Sequence, residues 1–304
     1  MNVQNPSASR GIVIQAVDLV KNYGTGSNMV HALRGVNVSF ERGKFTAIMG
    51  PSGSGKSTLM HTLAGLDSAT SGHILFGGAD LTRMDDKQLT LLRRHKIGFI
   101  FQSFNLLPMF TAEQNILMPL TLAGDKPDRA WFDLLVETLG LKQRLNHRPN
   151  ELSGGQQQRV AIARALITKP KLVFADEPTG NLDSVSSAEV LSFLKRSVNE
   201  LGQTIVMVTH DAVAASYADR AIVFADGQIV ADESNPTAET MNELLMAERE
   251  RATRTAVTST RADTLARLAG VKDVPNLPIT DAPLPPAGRT GTMHHARAAA
   301  QHAR

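Results

Sequence analysis

The chain has 304 residues, of which 42% are hydrophobic and 20% charged, and these values suit one large domain or two small ones with a substantial apolar core. It contains no cysteine, which excludes a disulfide scaffold, a thiolate metal site and a cysteine nucleophile. The first ten residues lack the apolar segment of a signal peptide, and no run of about 18 apolar residues predicts a membrane span.

Short β-type runs alternate with helical stretches over most of the chain. Ile12–Val20 and Val36–Phe40 alternate apolar and polar residues, which predicts an antiparallel sheet. Continuous apolar runs typical of buried strands lie at Lys44–Met49, Ile97–Phe101, Leu172–Ala175, Thr204–Val208 and Ala221–Phe224. Helices are predicted at Gln156–Thr168 and Ser184–Leu201, with a helical insertion over about residues 103–160 that has no strong strand in Ala112–Leu145. This alternation predicts an α/β fold with a mostly parallel core sheet covered on both faces.

The composition changes after Ala247. Residues 248–304 carry nine Lys and Arg residues against five Asp and Glu, so the net charge of +3 resides in this tail and the preceding 247 residues are nearly neutral. Five of the 14 prolines fall within Val274–Gly288. We therefore predict one domain over residues 1–247 and an extension over 248–304 that is part helix, around Met241–Leu268, and part disorder. We expect no specific nucleic-acid partner, because the basic excess lies outside the domain.

A glycine-rich loop follows the strand Lys44–Met49 and precedes a helical stretch. The segment Gly50–Ser57 fits the phosphate-binding pattern G-x-x-x-x-G-K-[ST] in the context that this pattern requires. Lys56 would neutralise the β- and γ-phosphates and Ser57 would ligate Mg²⁺; the alternative is a flexible Gly/Ser turn. The candidate binding residues are Gly50, Pro51, Ser52, Gly53, Ser54, Gly55, Lys56, Ser57 and Thr58.

Two carboxylates end the strand Leu172–Ala175, at the edge where ligands of α/β sheets bind. Asp176 is predicted to hold Mg²⁺, and Glu177 to orient or deprotonate the attacking water. A solvated strand end is the alternative for such a pair alone.

The segment Leu152–Gln156 places Ser153, Gly154, Gly155 and Gln156 at a helix start, where backbone amides and a hydroxyl can bind an anion. Ser153 can also be an ordinary N-cap, and both interpretations can hold together. Since the phosphate loop already supplies one anion site, this second one needs another purpose.

In combination these motifs resemble the ATP-binding subunits of ABC transporters, over about Ile12–Ala247. The resemblance implies a P-loop NTPase fold with an added antiparallel β subdomain and a helical subdomain. It also implies ATP hydrolysis with Mg²⁺ in a head-to-tail dimer, where Ser153 and Gly155 of one copy contact the γ-phosphate held by Lys56 of the other.

The same resemblance gives roles to four more residues. Tyr23 would stack on adenine, Gln102 would reach Mg²⁺ or the water and sense a membrane partner, and His210 would bond the γ-phosphate and hold the water. Asp183 would communicate across the dimer. Judged singly, Tyr23 could be a surface aromatic and His210 a capping residue.

Finer features, including Ala175–Asp183 and Gln156–Arg164, are similar to ATPases of the macrolide-exporter and lipoprotein-release type. The resemblance implies an integral membrane permease as partner and a peripheral location on the cytoplasmic face of the cell membrane. The apolar segment Ser103–Pro119 near Gln102 is the candidate contact, unless it is core. Two other functions stay open: regulation of cell-wall enzymes through a membrane partner without transport, and a soluble ABC ATPase in DNA repair or translation.

Overall fold

The computed structural model describes the backbone of residues 11–268, and the side chains of residues 11–26 and 28–254. The chain divides into two compact units, Met1–Thr253 and Arg254–Arg304. The predicted boundary at residue 247 stays a prediction, and the proline-rich segment Val274–Gly288 lies outside the described residues.

A six-stranded sheet forms the centre of the first unit, in the order β10-β9-β3-β8-β7-β6. All of its pairings are parallel except that of β9 with β10. Its strands are β3 (Phe45–Met49), β6 (Ile97–Phe101), β7 (Leu172–Asp176), β8 (Ile205–Val208), β9 (Arg220–Ala225) and β10 (Gln228–Ser234). The side chains of β3 and β8 are entirely buried, which explains why these strands are continuously apolar.

A four-stranded antiparallel sheet, in the order β2-β1-β4-β5, packs beside the central sheet. Its strands are β1 (Ile12–Tyr23), β2 (Val30–Glu41), β4 (Ser71–Phe76) and β5 (Ala79–Asp80). Alternate residues of β1 are buried, as its apolar and polar pattern requires. This sheet shares one apolar cluster with the helix that follows the phosphate loop and with alternate residues of the central strands, such as Ile48 and Phe174.

Helices lie on both faces of the central sheet, and the helix after the phosphate loop shares its face with the antiparallel sheet. They are α1 (Lys56–Leu63), α2 (Asp86–Lys96), α3 (Ala112–Ala123), α4 (Arg129–Thr138), α5 (Gly154–Leu166), α6 (Ser184–Leu201), α7 (Ala212–Ala215) and α8 (Ala238–Leu268). Residues of α3, α4, α5 and α6 share the second apolar cluster with alternate residues of the central strands, such as Phe45 and Ala47. Met241 of α8 is fully buried in this cluster.

The predicted α/β class, the mostly parallel core sheet and the added antiparallel sheet are confirmed. Residues 102–171 contain helices and no strand, although α5 runs past residue 160 to Leu166. The sequence patterns missed β4, β5, α2 and β10. The helix α2 has no buried residue, and much of β10 is half-buried, so both present weak apolar patterns.

Candidate nucleotide-binding site

The phosphate loop connects the buried strand β3 to the start of α1. Gly50 and Gly55 have φ angles of 150° and 103°. A Cβ atom at Gly50 would collide with the carbonyl oxygen of Phe224, and one at Gly55 with that of Ala32. Only glycine fits both places, since they combine an unfavourable φ with contact to rigid backbone.

Lys56 lies largely buried under this loop. Its Nζ donates hydrogen bonds to the carbonyl oxygens of Gly50 at 2.8 Å and Pro51 at 2.7 Å. Burial lowers the pKa of Lys56, while the nearby carboxylates of Glu177 and Asp176 act to raise it. A further buried polar atom in the loop, Ser54 Oγ, has no hydrogen-bond partner among the described residues. The loop thus presents a buried cation and an unpartnered hydroxyl, a combination that suits phosphate.

Asp176 and Ser57 meet where β7 faces the start of α1, with Ser57 Oγ 3.4 Å from Asp176 Oδ1. Burial raises the pKa of Asp176; the neighbouring charge of Glu177 adds to this, and His61 counteracts it. A half-buried carboxylate beside a second one favours a bound cation. The donors, a hydroxyl and a carboxylate, are those that Mg²⁺ takes from proteins when substrate phosphates and water supply its other ligands. These residues therefore fit Mg²⁺.

Glu177 and His210 form a carboxylate–imidazole pair in the site. His210 Nδ1 lies 3.1 Å from Glu177 Oε1. Glu177 has a φ of 45°, a left-handed conformation that costs a residue with a side chain about 1–3 kcal/mol. Its backbone N–H bonds Val208 at 2.9 Å and its carbonyl accepts from Gly180 at 3.0 Å, so the surrounding turn holds this conformation.

One open cavity of about 930 Å³ brings most of the predicted residues together. This volume is ample for a nucleoside triphosphate, because ligand sites range over about 300–1,000 Å³. Tyr23 is 42% exposed, and it lines the cavity together with the phosphate loop. The predicted residues that line the cavity are Tyr23, Ser52, Gly53, Ser54, Gly55, Lys56, Ser57, Thr58, Glu177 and His210.

The segment that begins α5 does not line this cavity. Ser153 caps the helix: its Oγ accepts from Gln156 N–H at 3.3 Å, and Gln156 Oε1 accepts from Ser153 N–H at 3.0 Å. A Cβ atom at Gly155 would lie 2.8 Å from Ser186 Oγ. Asp183 caps α6 by accepting from the N–H groups of Val185 and Ser186, both at 3.0 Å. The starts of α5 and α6 are therefore in contact.

Gln102, expected near Mg²⁺, also lies outside the cavity lining. Its Nε2 is 3.4 Å from Asn181 Oδ1, and Asn181 Nδ2 donates to its carbonyl oxygen at 3.1 Å. A Cβ atom at Gly180 would press on its amide. Gln102 is thus packed against the turn after Glu177, and it connects β6 to that turn.

The predicted contact segment Ser103–Pro119 is partly core. Leu106 packs against the second apolar cluster, the one shared by α3–α6 and the central sheet, whereas Met109 is 64% exposed. Beside it lies a groove of about 480 Å³ whose lining combines apolar side chains with arginines. It is lined by Arg93, Arg94, Ile97, Gly98, Phe99, Phe101, Asn105, Met118, Pro119, Leu122, Arg164, Ala165 and Thr168.

Sequence reasoning missed several residues around the cavity. His61 lies 3.9 Å from Asp176 Oδ2, and its spacing of four residues from Ser57 on α1 could have indicated that both face the same carboxylate. The hydroxyl of Tyr23 donates to Asp67 at 2.6 Å, and no local pattern links those two positions. The β9–β10 turn also reaches the loop, where Gly227 N–H donates to Ser54 O at 3.0 Å.

Within residues 11–268, no helix is long and apolar enough to span a bilayer. The family described as ABC transporter matches residues 33–180. The chain is 49% identical over 222 residues to the lipoprotein-releasing system ATP-binding protein LolD of Geobacter metallireducens, an alignment covering 72% of this chain and 99% of that protein. It is 49% identical to the macrolide export ATP-binding/permease protein MacB of Syntrophobacter fumaroxidans over 71% of this chain, but it spans only 31% of that protein.

Solved structures agree with these relatives. A dimeric ATP-binding cassette in a post-hydrolysis state, bound to ADP and Pi, is 40% identical with a TM-score of 0.67. The match covers 73% of this chain and 98% of that cassette. The chain therefore belongs to the ABC transporter family of ATP-binding proteins.

Proposed function

We propose that this chain hydrolyses ATP, dimerises head to tail when ATP binds, and thereby drives a membrane permease formed by a separate chain. One observation carries the proposal: a complete phosphate-binding cavity and a second anion-binding helix start occur in one domain, and the helix start does not line the cavity. A second copy in which Ser153 faces the cavity of the first would complete both sites. The dimeric relative bound to ADP and Pi supports this arrangement.

The residues divide the chemistry between charge neutralisation and water positioning. Lys56 and the loop amides hold the β- and γ-phosphates, and Ser57 with Asp176 holds Mg²⁺. When bound, Mg²⁺ neutralises charge that develops on the phosphate oxygens. Glu177 orients the attacking water and accepts its proton, and His210, 3.1 Å away, fixes that carboxylate and contacts the γ-phosphate. Ser153 and Gly155 of the second copy close the site.

Gln102 and Asp183 connect the nucleotide site to β6 and to the start of α6. Gln102 packs on the turn that follows Glu177, and Asp183 caps the helix against which Gly155 lies. A change at the γ-phosphate can therefore move β6 and the start of α6 together. Tyr23, which lines the cavity, holds the base by stacking.

The partner is a permease that contacts the groove between α2, β6, α3 and α5. Three features support this: the apolar side chains that line the groove, the strong exposure of Leu122 among them, and relatives whose names describe lipoprotein release and macrolide export. Such a partner makes the chain a peripheral membrane protein on the cytoplasmic face. The permease then acts in export, in extraction of lipoproteins or peptides, or in transmission of mechanical work.

Co-purification from detergent-solubilised membranes tests the partner. Leu122→Glu should lose an integral membrane protein that the parent chain retains, because a charge is placed at the groove edge. Met246→Glu is the matched control, because Met246 and Leu122 are similarly exposed, at 63% and 68%, and Met246 lies on α8 rather than in the groove. Retention by Leu122→Glu, or equal loss by both variants, would contradict the groove assignment. Stimulation of ATPase activity by a transported substrate in reconstituted membranes would then distinguish transport from the regulation of cell-wall enzymes without transport.

A further inference from the structure

Tyr23 is held from outside the cavity by a charged pair that the mechanism above does not use. We propose that Asp67 and Lys21 are positioning residues that fix the ring of Tyr23 in the orientation in which it receives the nucleotide base. The inference rests on the proposed function and deepens it, because it assigns recognition of the flat base to a unit of three residues, Tyr23, Asp67 and Lys21.

The hydrogen bonds of this unit are short and connected. The Tyr23 hydroxyl donates to Asp67 Oδ2 at 2.6 Å, and Lys21 Nζ donates to Asp67 Oδ1 at 2.6 Å. Lys21 Nζ also donates to the carbonyl oxygen of Ser68 at 2.7 Å. Each carboxylate oxygen of Asp67 thus has its own donor, which fixes the rotation of the carboxylate and hence the place of the phenol oxygen.

Packing alone does not fix the ring. Tyr23 is 42% exposed, and it pairs across the sheet with Val30, which is itself 60% exposed. An exposed aromatic at a strand end ordinarily samples several rotamers, and binding would then have to order it. The anchored hydroxyl orders the ring before the base arrives.

Lys21 acts on the ring as well as on the carboxylate. It is only 7% exposed, and its Nζ lies 4.8 Å from the centroid of the Tyr23 ring, over one face. A cation over one face of an aromatic ring is favourable, and it leaves the opposite face for stacking. The unit therefore also selects which face of Tyr23 receives the base.

Ionisation of the group supports this assignment. Burial raises the pKa of the Asp67 carboxyl, but hydrogen bonds from Lys21 and Tyr23 outweigh it and hold the pKa below its usual range. Burial and the hydrogen bond to Asp67 raise the pKa of Tyr23. Asp67 therefore remains an acceptor and Tyr23 a donor at neutral pH.

The test compares Tyr23→Phe, Asp67→Ala and the double variant in the full-length protein. Tyr23→Phe retains a ring that can stack and loses the bonds of the hydroxyl to Asp67 and Thr58, so we expect the KM for ATP to rise about fivefold, the ratio equivalent to about 1 kcal/mol. The change should fall on KM rather than on kcat. Asp67→Ala should match it, and the double variant should add little, because the two residues act as one unit.

A ligand without a base separates positioning from general damage. Inorganic tripolyphosphate should inhibit the ATPase with the same inhibition constant in the parent and the variants, since it has no base to stack on Tyr23. Asp80→Ala is the matched control. Asp80, on β5, also has a side-chain partner at each carboxylate oxygen, His73 and Thr82, but it has no bond to Tyr23 among the described residues.

Four results would overturn the inference. They are an unchanged KM in Tyr23→Phe, additive effects in the double variant, equal weakening of tripolyphosphate binding, or a similar rise in KM with Asp80→Ala. A parent protein that neither hydrolyses ATP nor binds tripolyphosphate would instead contradict the proposed function itself.

Discussion

Replacing Ser153 by alanine separates its capping role from its role towards a second copy. The capping hydrogen bonds at the start of α5 predict a loss of about 1 kcal/mol in unfolding free energy. For a domain of this size that loss lowers Tm by about 2–4 °C. If Ser153 also donates to the γ-phosphate in the partner's site, two such bonds vanish from each dimer. Bonds to charged groups contribute about 1.5–3 kcal/mol each, so dimerisation with ATP should weaken by a factor of about 10² or more.

Thr111 provides a matched control, because it caps α3 with the same pair of bonds. Its Oγ1 accepts from Gln114 N–H at 3.3 Å, and Gln114 Oε1 accepts from Thr111 N–H at 2.9 Å. Thr111→Ala and Ser153→Ala should lower Tm similarly, as measured by calorimetry. Sedimentation with ATP, in a Glu177→Gln background, should show a loss of dimer for Ser153→Ala alone. Equal dimerisation of both variants would refute the role of Ser153 in the partner's site.

Three further changes test other parts of the molecule. Glu177→Gln should bind ATP, hydrolyse it very slowly and accumulate as a dimer in gel filtration; normal turnover would contradict its role towards water. Deletion from Arg251 onward should leave Tm nearly unchanged, because α8 is anchored by Met241, which is fully buried; a large fall in Tm would contradict this. Asp219 is partly buried, which raises its pKa, but the hydrogen bond from Lys195 leaves that pKa below its usual range. The stabilisation by ionised Asp219 is therefore complete above about pH 4 and is lost as the pH falls through the folded pKa. In urea unfolding, the loss of unfolding free energy caused by Asp219→Asn should shrink at low pH. A loss that stays constant with pH would refute this.

The sequence predicted the buried strands and the long helices because these segments have uniform surroundings. Ile97–Phe101 and Ser184–Leu201 have the bounds that their apolar patterns predict. The short strand β5 and the exposed helix α2 were missed, since neither buries a regular face. Their formation depends on local bonds, such as the capping box at Asp85, and on neighbouring strands.

The phosphate side of the site was predictable because its residues are contiguous in motifs. The unit around Tyr23 was not predictable, because Asp67 is 44 positions away in the sequence. Asp67 comes close to Tyr23 because β1, which ends at Tyr23, pairs with β4, the strand that follows Asp67. His61 lay within reach of sequence reasoning through its spacing from Ser57. Gln102 was expected beside Mg²⁺. Its contacts with Asn181 arise because the end of β6 packs on the turn that follows Glu177.

The central claim is that one copy completes the ATP site of another. A mixture of Lys56→Ala and Ser153→Arg subunits tests it most directly, because a heterodimer contains one site with both an intact phosphate loop and an intact Ser153. We predict that neither variant dimerises with ATP alone, and that the equimolar mixture does so and regains measurable ATPase activity. A mixture as inactive and monomeric as its components, with both variants folded, would contradict the account.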